Sequence, residues 1–388
     1  MYTLFVKLGQ LLQSQQEFLS SWLFWMVAIF RHPFLMWPFP LITYGGFLVS
    51  ALLQAFAYPG WKARFLAPTG ARGPSFFSAL ALGVTGPPDW RSNLAAFEEL
   101  LRYGTSLPTA FTYLIASYTI TSYFIFLIMV NSGPQIVIGH VLAALLMIAC
   151  VRLGLRWWIP KALWHQAAAG SSADPHAEAA PAALPWPVCL RSPRNWLRAV
   201  WLLLRDIKVL CIPLFLGLLL GGFLAAWGRT EAFFDLRLGD GVPGQLLNAV
   251  IGPLLSAVTF MVPVGNIFVG VWLWKTEFLA YAGLVGFFLA TVLHPDTVGT
   301  YRRLFGLSLT VRIVLILLGS AAFAALAVTT MWYGLAALAS LLGVRDFIEQ
   351  SVLSSSITPS TVPWFHELFK PAMAAYMHDV MGGMRGGM

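Results

Sequence analysis

Residues 246–274 read LLNAVIGPLLSAVTFMVPVGNIFVGVWLW. The stretch carries no charge, yet Val262-Pro263-Val264-Gly265-Asn266 interrupts it. Proline removes an amide donor and clashes with the preceding turn. Glycine loosens the helix further. Lipid tolerates such a break only where protein or a wet cavity satisfies the freed backbone groups. In transporters, discontinuous helices of this kind hold substrate and ions.

The rest of the chain agrees with a membrane setting. Of 388 residues, 58% are hydrophobic and 10% charged, against about 25% charged in a soluble domain. Mean hydropathy is +0.74. These values exclude a soluble enzyme, a nucleic-acid factor and a disordered protein. The net charge of +8 falls between apolar runs, where it sets membrane orientation rather than binding nucleic acid. Cys150, Cys189 and Cys211 form no CxxC pair, so neither a disulfide framework nor a zinc site is expected. Lys7 and the polar stretch Gln10–Glu17 precede any apolar run, which does not read as a cleavable signal peptide.

A core about 30 Å thick needs about 20 apolar residues per helix. Pro33–Tyr58, Ser106–Val130, Pro134–Leu153, Leu210–Trp227, Phe278–Val298 and Val311–Leu335 meet that length. Phe18–Phe30 is short and reads as an interfacial lead-in or a first span bent into the next. A second broken stretch runs from Ser75 to Tyr103, stopped by Pro87-Pro88-Asp89 and continued by the amphipathic Leu94–Tyr103. The Ala-, Pro- and Ser-rich middle of the chain reads as a linker. Each half shows one order: a span, a broken segment, then two spans. The expected fold is all-α and polytopic, with two pseudo-symmetric halves, each holding a broken or re-entrant hairpin. Its parts are an interfacial segment (1–32), a first transmembrane half (33–158), a cytoplasmic linker (159–195), a second transmembrane half (196–342) and a Met-rich tail (343–388). Lys62, Arg64 and Arg72, the linker cations, and Arg302, Arg303 and Arg312 share one side if the broken segments are re-entrant, and the halves are then inverted. If the hairpins cross fully, about eight spans result.

Three stretches resemble the permease family that includes the bacterial organoarsenical exporters (ArsP-type). They are 195–227, 246–274 and 286–306, with IGPLL, VGN, LW and YRRLFG in that order. The resemblance implies an inner-membrane permease with pseudo-symmetric halves. It also marks departures. The family's VGN is usually preceded by Cys-Ser, where this chain has Val262-Pro263. Its first broken segment usually holds Cys-Ser-Cys, where this chain has GVTGPPDWRSN (83–93). An aspartate usually follows the alanine near Ala290, and here stands Thr291. Soft arsenicals need thiolates, so their absence speaks against an arsenical substrate.

Asn266, beside the Pro263-Val264-Gly265 break, reads as a substrate ligand or as a stitch between two half-helices. Ser117 and Thr121, at i,i+4, either line a path or bond back to their helix. Thr291 occupies the position of the family's aspartate. His294 and Asp296 read as a proton-coupling pair or as a solvated helix end. Arg205-Asp206 and Lys208 read as an interfacial salt-bridged start of the fifth run. In the tail, Met373, Met377, His378 and Met381 suit Cu(I), or form a Met-rich amphipathic helix. No other cofactor is expected.

Two functions follow. One is a secondary permease of the bacterial cytoplasmic membrane, moving a small solute bound between the two broken segments. Its partners would be lipid, the solute and a second copy or membrane-complex subunit. The other is a non-transporting scaffold of an assembly, with a copper-related variant through its Met-rich tail. No catalytic cluster suggests an enzyme.

Overall fold

The computed structural model describes residues 2–35, 39–60, 62, 76–103, 105–160, 186–227, 242–276 and 278–341. Among them every regular element is a helix. They run α1 (Tyr2–Leu35), α2 (Phe39–Leu52, continued by a π-turn Leu53–Ala57), α3 (Phe76–Val84), α4 (Trp90–Arg102), α5 (Leu107–Thr119), α6 (Ser122–Ser132) and α7 (Pro134–Trp158). After the linker follow α8 (Trp186–Arg191), α9 (Pro193–Trp227), α10 (Val242–Val258), α11 (Pro263–Lys275), α12 (Tyr281–Leu289, continued by a 3-10 turn Ala290–Leu293) and α13 (Pro295–Leu341). The chain is thus an all-α polytopic membrane protein. Among the described residues five helices are long and apolar enough to cross a membrane, and six spans result if the bent pair α5–α6 counts as one. Their outer faces are greasy: Leu41, Ile212 and Leu315 are all exposed.

Three sequence expectations need correction. Ser106–Val130 is not one rod. It breaks at Ile120-Thr121, and α6 leaves α5 at 42°. Thr119-Ile120-Thr121 is a β-branched run, whose restricted χ1 disfavours helix. Ser117 and Thr121 therefore do not share a helical face. Phe278–Val298 breaks as well, at the 3-10 turn before His294-Pro295. Finally, the N-terminal apolar run is longer than expected. Gln15–Leu35 forms a 21-residue stretch inside one helix, and is a candidate span in its own right.

A repeat emerges from these breaks. In the first half a short helix (α5) breaks, an 11-residue helix (α6) follows, and Gly133 leads into long α7. In the second half α12 breaks, Pro295–Phe305 follows with equal length, and Gly306 leads into the rest of α13. Gly133 has φ 88 and ψ 166; Gly306 has φ 76 and ψ 170. That region is open essentially to glycine alone.

The matched elements run in opposite directions. Gly139 of α7 packs on Trp332 of α13, while Gly154 packs on Ile316. Near that second end Arg312 donates to the Trp158 carbonyl at 3.4 Å. Likewise α2 and α9 are antiparallel: Phe56 meets Trp196, and Phe47 faces the region of Leu214.

The broken pairs fold back on themselves. Arg152 of α7 lies over the Phe76 ring at the start of α3 and also donates to Thr112 near the start of α5. So α3 and α5 set out from one end, and α4 returns the chain between them. In the other half, Asn248 and Gln245 of α10 accept from the amides of Ala280 and Ala282. So α10 and α12 start side by side, and α11 is the return limb.

Candidate functional site

Each hairpin has a non-helical tip, and each tip leaves backbone carbonyls that must find donors. At the first tip, Thr85–Pro88, two prolines forbid a continuous helix. Asp89 then caps α4, accepting from the amides of Arg91 and Ser92 at 3.2 and 3.3 Å and from the Ser92 hydroxyl at 2.6 Å. Asn93, the fourth residue of α4, donates from Nδ2 to the Pro87 carbonyl at 2.8 Å. Its Oδ1 accepts from the Tyr113 hydroxyl at 3.1 Å.

The second tip, Thr259–Val262, is built the same way. Phe260 has φ 53, a left-handed conformation that a bulky residue rarely adopts. Pro263 opens α11 at its first position, where its missing N–H costs nothing. Asn266, the fourth residue of α11, donates from Nδ2 to the Met261 carbonyl at 3.3 Å and to the Ser256 hydroxyl at 3.2 Å. Its Oδ1 accepts from the Thr259 hydroxyl at 2.8 Å. Both asparagines are buried. The side chain of Asn266 thus lies across its own tip and ties α10 to α11. Gly265 serves a different need. It sits where α9 crosses α11, and a Cβ on the facing Gly217 would lie 2.5 Å from its carbonyl oxygen.

The break between α5 and α6 is closed by a residue from another helix. His140 of α7 bonds through Nε2 to the Thr119 carbonyl at 2.8 Å. A carbonyl only accepts, so Nε2 carries the proton. Thr121, buried, stands at the N-cap position of α6 without a side-chain capping bond.

The fourth break brings the others together. His294 follows α12; its side chain is 9% exposed and lies within interaction reach of the Phe260 backbone at the second tip. Its Nδ1 accepts from the Asp296 amide at 3.3 Å and stands 3.9 Å from the Asp296 carboxylate. That carboxylate, half exposed, accepts from the Trp90 indole N–H at 3.2 Å. The Trp90 ring meets the His294 ring edge-on at 6.0 Å. Tyr118, two residues before the α5 break, donates to the Trp90 carbonyl at 3.3 Å and pairs with the Thr297 hydroxyl at 3.2 Å. Tyr123, just past that break, donates to the Pro88 carbonyl at 3.4 Å. One polar chain therefore runs from the first tip through Trp90, Asp296 and His294 to the second, with both tyrosines of the α5–α6 break attached.

Of the residues singled out in the sequence, His294 and Asp296 lie in this chain, and Asn266, Gly265 and Pro263 build one of its tips. Ser117 and Thr291 bond back to the carbonyls of Leu114 and Phe288, both at 2.9 Å, and do not join it. Trp90, Asn93 and Tyr118 were not singled out. The one signal for Asn93 was its place at the end of GVTGPPDWRSN, opposite VGN. Met373, Met377, His378 and Met381 lie outside the described residues. Among the described residues no three His, Cys, Asp or Glu side chains group to hold a metal.

Around the junction, ion pairs fix the far end of α4. Glu98 pairs with Arg303 of α13 and Glu99 with Lys62 at 2.8 Å. Elsewhere an apolar groove of about 430 Å³ opens between α1, α2 and α9, lined by Met26, Phe47, Cys211 and Leu214 among others. Its Phe47 stacks on Tyr123, with ring centroids 6.2 Å apart.

A family model described as a predicted permease, ArsP_1, matches residues 30–332. No curated protein and no solved structure matches the chain.

Proposed function

Since the chain belongs to the ArsP_1 family of membrane permeases, we propose that it is a secondary transporter of the bacterial cytoplasmic membrane whose solute binds where its two hairpin tips meet. The supporting observation is the polar chain Trp90–Asp296–His294–Phe260, which joins a tip of one half to a tip of the other. Rocking of the inverted halves would open that junction to one side and then the other. His294 and Asp296 are the proposed coupling pair. Burial disfavours the charged form of the His294 imidazole, and the Asp296 carboxylate beside it favours that form, so hydration of the junction would govern its proton uptake. Asn266 and Pro263 keep the second tip in its non-helical shape, Gly265 lets α9 cross α11 closely, and Thr121 stands at the N-cap of α6 beside the neighbouring break.

The chemistry of the junction favours a small polar solute. Indole, imidazole, carboxylate and phenol supply hydrogen bonds in both directions. Cysteine is missing from 83–93 and from 259–266, so no thiolate is available there for a soft metalloid. The test is transport into vesicles holding the purified protein, using labelled small polar solutes with and without a proton gradient. Gradient-driven movement that falls at least about tenfold in His294→Ala supports the reading. No movement of any solute, together with stoichiometric co-purification of another membrane protein, would favour the scaffold instead.

A further inference from the structure

Arg205-Asp206 looks, in sequence, like a surface pair where α9 meets the headgroups. The structure turns the aspartate inward. Asp206 is 1% exposed and is the one Asp or Glu in the buried interior among the described residues. Its Oδ1 accepts from Arg205 at 2.8 and 3.1 Å. Its Oδ2 accepts from Nε2 of Gln54 on α2. Arg205 also donates to Oε1 of Gln54, at 3.0 Å, which closes a three-residue ring between two helices of opposite halves. Gln54 stands in the π-turn Leu53–Ala57, where the Tyr58 amide reaches back to the Leu53 carbonyl. Such π-bulges are frequent at functional sites. A buried carboxylate survives at such a place only with its bonds complete, and removing one partner is costly.

We propose that Asp206 is a proton-binding site that latches α2 to α9. Ionised, the carboxylate holds both Arg205 and Gln54. One proton taken from solvent onto Oδ2 converts that oxygen from acceptor to donor. It then competes with Arg205 for Oε1 of Gln54, and the ring opens. Returning the proton to solvent closes it. The ionisable groups that act on Asp206 are Arg205 on its own helix, Asp89 at the first tip and Tyr123 on α6. Of the other helices packed on α9, α1 carries Lys7, Glu17, Arg31 and His32, α2 carries Tyr44, α8 carries Cys189 and Arg191, and α11 carries Lys275. The latch rests on the permease reading in one respect, that the halves move against each other.

The test uses the full chain in phosphatidylethanolamine–phosphatidylglycerol vesicles, with Cys150, Cys189 and Cys211 changed to serine. Spin labels go on Leu48→Cys and Ile212→Cys, both exposed on the two helices. Label distances and infrared carboxyl bands are read at about pH 5 and about pH 8. The expected result is a distance that shifts with pH and a protonated-carboxyl band that grows in acid. Asp206→Asn should lose that band and hold the acid distance at both pH values, and Asp206→Glu should restore the response. A distance indifferent to pH, or a shift unchanged in Asp206→Asn, overturns the latch. Should Asp206→Asn fail to fold, Gln54→Leu decides: the band must persist while the distance stops following pH, and any other outcome overturns the proposal. No solute enters this measurement. A transporter whose pH profile survives Asp206→Asn would refute the latch and leave the permease reading standing.

Discussion

At the scale of single residues, two asparagines do matching work. Asn93 and Asn266 each hold the fourth position of a return limb, and each donates to a carbonyl of the tip behind it. Losing such a bond leaves a buried carbonyl unpaired, at a cost of about 1–3 kcal/mol. Asn93→Ala and Asn266→Ala should each destabilise the protein by that amount, read as a lower midpoint in detergent melts. His140 plays the same part at the α5–α6 break, holding the Thr119 carbonyl. The glycines are constrained differently. Gly133→Ala and Gly306→Ala force a side chain into a glycine-only region and should cost about 1–3 kcal/mol each. Gly299→Ala, inside α13 with open space where its Cβ would lie, should be neutral or slightly stabilising in the same melts.

At the scale of elements, the sequence was most readable where breaks are made by proline and glycine. The tips at Pro87-Pro88 and Pro263-Val264-Gly265 follow from residue type alone. The break at Ile120-Thr121 does not, because a β-branched run inside an apolar stretch only weakly disfavours helix. It persists because His140, from another helix, takes the freed carbonyl, and no local pattern carries that information. His294-Pro295-Asp296 was ambiguous for a related reason: a proline after an apolar run marks a helix end wherever the end lies. Its place against Trp90 and Phe260 depends on tertiary packing. Thr291 and Ser117 show the converse, since hydroxyls in apolar helices bond back to their own backbone as readily as they line a path. Trp90→Phe keeps the ring but removes the indole N–H that reaches Asp296. Gradient-driven transport should fall at least about tenfold while the melting midpoint moves little, since the bond is half exposed and its loss costs about 1 kcal/mol.

At the scale of the molecule, the inverted repeat was legible as an order of spans, and the cations implied inversion if the broken segments are re-entrant. Its direct marks are geometric. Two glycines share one rare conformation after helices of equal length, and α7 and the long part of α13 run antiparallel. Hydropathy cannot show either, because both are properties of the backbone and of packing. Inversion has a consequence for accessibility. Single cysteines at Gln135, at the start of α7, and at Trp158, at its end, should react with an impermeant thiol reagent from opposite sides of a sealed vesicle. Cysteines at Trp158 and Arg312 should react from the same side, as their contact requires.

The central claim is that tips from opposite halves meet at His294. The most direct measurement is cross-linking of Trp90→Cys with His294→Cys in a chain without native cysteines, using a short bifunctional thiol reagent in vesicles. Rapid bridging within one chain, reversed on cleaving the linker, is the expected result. Two cysteines that label singly but never bridge would contradict it.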